Sequence, residues 1–371
     1  MAEETLHRGA GLYRRGTAAL LAGRLVRARS LLARAVAVLR RGGAPPVDES
    51  RARCALGQAR EATGDRAGAA RDYRCAALLV HGLRGAEAAR LTARARGQLA
   101  GIARARGHYA RAAREYRATL AFARRRLPGR DRLVAGLLND LGVVYKLAGR
   151  FSEAAALYRR ALGICRDLIG GATDEIATIL HNLGGVEHAR GRWAIGETIA
   201  RRGVEIRERL HGPGHPAVAA DLAALAALVV ELGRFEEAEQ LYRRALAILG
   251  RTPGIDRYEL GMLYGNLAAL LARSGDDHAA RRLYLRSVGS LEGALGRRHP
   301  ELAPTLNNLG VLELSLGLRA RGAGRLRRAL AILERTLGGD HTRTRICRDN
   351  VTELLGAPGG RTARRSARRT R

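Results

Sequence analysis

A glycine returns every 42 residues, at Gly149, Gly191, Gly233, Gly275 and Gly317, and this period confines the chain to a repeat architecture. With looser spacing the series continues upstream at Gly107, Gly64 and Gly23, giving eight units. Around Gly149, residues 139–162 (NDLGVVYKLAGRFSEAAALYRRAL) read as two amphipathic helices. Leu138, Leu141, Val144 and Tyr145 form one apolar stripe before the glycine. Phe151, Ala154, Leu157, Tyr158 and Ala161 form another behind it. The glycine supplies the left-handed residue that ends the first helix. Neither helix can bury its stripe alone, so each unit needs neighbours.

The register is strict from Leu141 onward. A leucine precedes the turn at Leu141, Leu183, Leu225, Leu267 and Leu309, and upstream at Leu56 and Leu99. Small residues recur five after the turn, as Ala154, Gly196, Ala238, Ala280 and Gly322, where helix backbones must approach closely. Connections such as RLHGPGHP (209–216) and LGRRHP (295–300) end one helix with Gly and open the next with Pro. This predicts an irregular N-terminal helix pair over 1–46, with Arg15 where later units carry leucine. Two basic repeats follow over 47–134 and five regular repeats over 135–342. A capping helix over 343–355 and a disordered basic tail over 356–371 complete the division.

Aromatic residues make up only 4% of the chain, so the core must be aliphatic. Net charge is +31, concentrated in the first third and in the C-terminal arginine run. That asymmetry fits an acidic partner or a polyanion. Lys146 is the only lysine among 66 basic residues, so the arginine excess also fits codon choice in a GC-rich genome. Cys54, Cys75, Cys165 and Cys347 show no paired or metal-ligand spacing, which points to a reducing compartment. The opening MAEETLHRGA has no apolar signal core, and no run approaches the roughly 18 apolar residues of a membrane span. The expectation is a cytoplasmic protein with no membrane partner.

Leu141-Gly142, Tyr145, Gly149, Phe151, Ala154, Tyr158 and Ala161 resemble the tetratricopeptide repeat consensus. The phrase LGRRHPELAPTLNNLG (295–310) and the 42-residue period resemble the long-helix variety of kinesin light chains and many bacterial repeat proteins. The resemblance spans roughly 9–355. It implies an all-α, right-handed superhelix of about eight helix pairs whose first helices line a concave, peptide-gripping groove. Fold does not by itself fix function. Residues 1–371 carry no heptad pattern before the repeats and no catalytic or DNA-binding motif, so a chain without the extra domains of some relatives is expected.

Groove positions in that family lie on the first helix, one before the conserved leucine. Here the column reads Asp140, Asn182, Ala224, Asn266 and Asn308, with Asn139, His181 and Asn307 beside it. An asparagine ladder could hold an extended peptide backbone, since each amide donates and accepts without charge. Lys146, His188 and Arg273 could meet acidic side chains or a terminal carboxylate. The competing reading is that these asparagines satisfy groups between adjacent repeats. Arg361, Arg364, Arg365, Arg368, Arg369 and Arg371 form a polybasic run that could contact a polyanion or merely solubilise the tail.

The single lysine sits on an amphipathic helix, without the Gly-Lys-Ser/Thr of a Walker A loop, and no H-E-x-x-H, C-x-x-C or G-x-S-x-G appears. His211 and His215 lie in a segment that cannot stay helical, which argues against a metal site. No catalytic residue, metal or cofactor is expected. The sequence therefore points to a non-enzymatic scaffold holding an unknown protein or peptide, for which the positive charge of the chain suits an acidic one. The alternative is a regulatory nucleic-acid or polyanion binder using the basic first third and tail. That alternative has no aromatic stacking platform and no DNA-reading helix motif behind it.

Overall fold

The computed structural model describes residues 2–356, except Gly170 and Pro253. Among the described residues there are seventeen α-helices and no strand. In chain order they are α1 (Ala2–Leu21), α2 (Leu25–Arg41), α3 (Pro46–Ala62), α4 (Arg66–Leu79), α5 (Ala86–Ala105) and α6 (Tyr109–Arg126). Next come α7 (Arg132–Leu147), α8 (Phe151–Ile169), α9 (Asp174–Ala189), α10 (Trp193–His211), α11 (Pro216–Glu231) and α12 (Phe235–Gly250). The last five are α13 (Arg257–Ser274), α14 (Asp277–Leu295), α15 (Leu302–Ser315), α16 (Arg319–Leu337) and α17 (Thr342–Gly356). This all-α order is the one the glycine register requires: two helices per glycine and one more at the end. The arginines from Arg361 to Arg371 lie outside the described residues, as does the rest of 357–371.

The turns are built by backbone geometry that only glycine adopts without strain. Gly149 sits at φ +75°, and the other turn glycines fall between +70° and +90°. At this turn the Gly149 N–H donates to the Lys146 carbonyl (3.1 Å) and the Arg150 N–H to the Tyr145 carbonyl (2.8 Å), satisfying the helix end. From α7 onward, a side chain accepts from a backbone N–H at the start of each first helix. The Nδ1 atoms of His215, His299 and His341 accept from the N–H two residues on, at 3.2, 3.3 and 3.2 Å. Asp131 and Asp256 cap α7 and α13 through their carboxylates. The histidines of the His-Pro phrase thus have a structural task.

The chain divides into two compact units at Gly191. In the first, α1 to α9, consecutive helices pack, and the first helices α1, α3, α5, α7 and α9 also meet one another in a row. In the second, α10 to α17, the same holds for α11, α13, α15 and α17. The second helices make no comparable contact with one another. The more closely spaced row is the inner side of a stack, which places the odd-numbered helices there in each unit.

The core follows the repeat. Tyr73, Tyr116, Tyr158, Tyr242 and Tyr284, each nine residues after a turn glycine, are buried. Gly142 makes room for Tyr158: a Cβ there would stand 2.6 Å from the ring. Leu56, Leu141, Leu183, Leu225, Leu267 and Leu309 are at most 3% exposed, while the equivalent Leu99 is only half-buried. Arg15, at the same position in α1, is exposed. Helix α17 packs on α15 and α16 and buries Thr344, Cys347 and Asn350. Glu187 and Glu313, three repeat lengths apart, are fully buried. Arg159 approaches Glu187 at 2.6 Å, and Arg281 approaches Glu313 at 3.0 Å. Each carboxylate is neutralised by a guanidinium, which burial of a charge demands.

Candidate functional site

The first-helix rows carry every sequence-derived groove candidate. In the first unit, α7 holds Asn139 and Lys146, and α9 holds His181, Asn182 and His188; all five are half-buried. In the second unit, α13 holds Asn266 and Arg273, and α15 holds Asn307 and Asn308. Asn266 and Arg273 are exposed, Asn308 is half-buried and Asn307 is buried. Asn266 and Arg273 lie seven residues apart on one helix, so they share a face about 10 Å apart.

The asparagines divide into two groups by what their amides already touch. Asn182 Nδ2 donates to Asn139 Oδ1 at 3.0 Å, linking α9 to α7. Asn350 Nδ2 donates to Asn307 Oδ1 at 3.0 Å, linking α17 to α15 in the same way. Both rungs join residues 43 apart, one repeat plus one residue. Asn307 also donates to Asn308 (3.4 Å), and Asn308 hydrogen-bonds the Tyr284 side chain. Between these rungs stand Ala223 and Gly265, which carry no amide, so Asn266 is left facing solvent. Asn350 was missed from sequence although it continues the column one repeat after Asn308.

The first unit adds charge to this seam. Asp140 stands beside Asn139, whose hydrogen bond favours the charged carboxylate, as does Arg104 on α5. Burial outweighs both and raises the Asp140 pKa. Arg104 also hydrogen-bonds Tyr116, whose own pKa is raised by burial. Burial lowers the Lys146 pKa. The amine lies against α9: Nζ is 3.0 Å from where a Cβ on Gly185 would stand, so the absence of that side chain makes the space. Arg273 reaches Glu231 at 3.5 Å and lies over the Phe235 ring at 5.2 Å, which holds the guanidinium in place.

Among the described residues no group of three or more His, Cys, Asp or Glu gathers as metal ligands would. His211 and His215 stack, with ring centroids 4.5 Å apart, and His215 serves as a helix cap. No helix among the described residues is long and apolar enough to cross a membrane. What the rows offer is a rigid surface of fixed donors, acceptors and cations.

Comparison with known proteins fits this geometry. Models of the tetratricopeptide repeat match residues 91–167, 175–251, 260–301 and 302–343. Among solved structures, BtubC (BKLC) from P. vanneervenii is 24% identical, with a TM-score of 0.50 over 71% of this chain and 91% of that one. A tetratricopeptide repeat protein from Parabacteroides merdae is 13% identical, with a TM-score of 0.54 over 82% of this chain and 98% of that one. A Rap protein complexed with Competence and Sporulation Factor is 13% identical, with a TM-score of 0.56 over 99% of this chain and 100% of that one. Likeness at these identities speaks to fold. The comparison with curated proteins gives no match.

Proposed function

Because the chain belongs to the tetratricopeptide repeat family, in its long, kinesin-light-chain-like form, we propose that it is a non-catalytic scaffold that holds an extended segment of a partner protein along its first-helix row. Stacked helices keep the contact groups in register before the partner arrives, so binding costs little reordering. The observation that carries this reading is the exposed pair on α13. The Asn266 amide has no asparagine neighbour to engage it, and Arg273 is braced two turns away on the same helix. Asn266 can donate to and accept from a peptide backbone, and Arg273 can meet a carboxylate at one end. Asn308 occupies the position equivalent to Asn266 on α15. Lys146, His181 and His188 offer a second set on the first unit, flanking the amides of Asn139 and Asn182. The Rap structure solved with Competence and Sporulation Factor supports a binding role for this kind of fold, and no more than that.

The test is calorimetry with a peptide selected by display against the full chain. Asn266→Ala removes hydrogen bonds worth about 1 kcal/mol and should weaken binding about fivefold without changing the melting midpoint. Arg273→Ala should weaken it further at low salt than at high salt. Unchanged affinity in both variants would contradict the assignment.

A further inference from the structure

A cleft of about 420 Å³ opens between α4 and α6, with α5 as its floor, and none of the groove candidates lines it. Leu99, Ile102 and Ala103 of α5 form an apolar base, with Ala70 and Ala118 on the two walls. Its lining departs from most of the regular repeats. Eight residues after the turn glycine, four of the five regular repeats carry Leu157, Ile199, Leu241 and Leu283, while the fifth carries Arg325 and the second repeat Asp72; here that position is Glu115, which lines the cleft. At its floor Leu99 is the one member of its column from Leu56 to Leu309 that is not buried, so an apolar side chain is open to an incoming group.

The rim is cationic and its charge is uncompensated. Arg111 is matched by Glu115 at 2.7 Å, which neutralises the only carboxylate in the lining. Arg74, Arg96 and Arg106 have no carboxylate partner among the described residues. Arg96 is fixed over the Phe122 ring at 5.0 Å. We propose that this cleft is a docking site for an acidic peptide segment that inserts one aliphatic side chain onto Leu99 while its carboxylates meet Arg74, Arg96 and Arg106. The apolar floor is what selects a peptide over a nucleic acid. No Phe, Tyr or Trp lines the cleft to stack a base, and the nearby Phe122 face is already occupied by arginine. The site also gives the basic first third of the chain a specific task, separate from the row carrying Asn266.

Fluorescence anisotropy on the full chain tests this with three labelled probes: a short glutamate-rich peptide with one central leucine, the same peptide with serine there, and oligo-dT. The leucine peptide should bind about tenfold more tightly than the serine peptide, as burial of one aliphatic side chain predicts. Ala118→Trp fills the cleft from an exposed wall position and should reduce the leucine peptide to the affinity of the serine peptide. Arg74→Glu combined with Arg106→Glu should weaken both peptides at least about tenfold. Asn266→Ala, in the second unit, should change neither. Equal binding of the two peptides overturns the proposal, as does oligo-dT binding with the affinity and variant response of the leucine peptide. Loss of binding in Asn266→Ala but not in Ala118→Trp would move the acidic segment to the first-helix row instead.

Discussion

Asp140 occupies the position that Asn182, Asn266, Asn308 and Asn350 hold in other repeats, and its carboxylate is the costly choice there. Its raised pKa means that burial disfavours the charge more than Arg104 and Asn139 favour it. Asp140→Asn keeps the shape and the bond to Asn139 and removes the buried charge. It should raise the melting midpoint at neutral pH, and a midpoint that falls would show that the Arg104 attraction dominates. Thiols set an alkaline limit on stability. Burial pushes the pKa of Cys54 and Cys347 from 9.0 up to about 11. The native state then keeps a proton that the unfolded chain releases, so stability is full below about pH 9 and declines as pH rises towards 11. Thermal melts at about pH 8 and about pH 10 should show a smaller loss in Cys54→Ala than in the native chain. An equal loss in both would assign the decline to the buried tyrosines, whose pKa values burial also raises.

Helices reveal how far the sequence could be read. The turn glycines, the leucine column and the tyrosines nine residues on were legible because each is a local requirement repeated at a fixed interval. The partners of the asparagines were not, because a rung joins one position of a repeat to the next position of its neighbour. That one-residue offset is set by how helices stagger, not by the period. The cleft was hidden for a related reason: Asp72 and Arg325 stand where Glu115 does in their own repeats, yet Leu56 and Leu309 stay buried there, so the residue type alone does not announce an opening. Terminal helix α17 is held by such a rung. Asn350→Ala leaves the buried Asn307 Oδ1 without its donor and should cost about 1–3 kcal/mol. Calorimetric melts of the full chain measure this, and a loss below about 0.5 kcal/mol would mean that water replaces the bond.

At the scale of the molecule, one period explains most of the architecture, while function depends on departures from it. Interior positions are nearly interchangeable from unit to unit, so they specify a stack and say little about what it holds. The informative residues are those that the repeat does not need: Asn266 with no amide beside it, Arg273 braced over Phe235, and Lys146 against the bare backbone of Gly185. The most direct test is to place a photoreactive group at the centre of a display-selected peptide, crosslink it to the full chain and locate the adducts by mass spectrometry. The account predicts adducts on α13 and α15, around Asn266 and Asn308. Adducts confined to the second helices α12, α14 and α16 would contradict it.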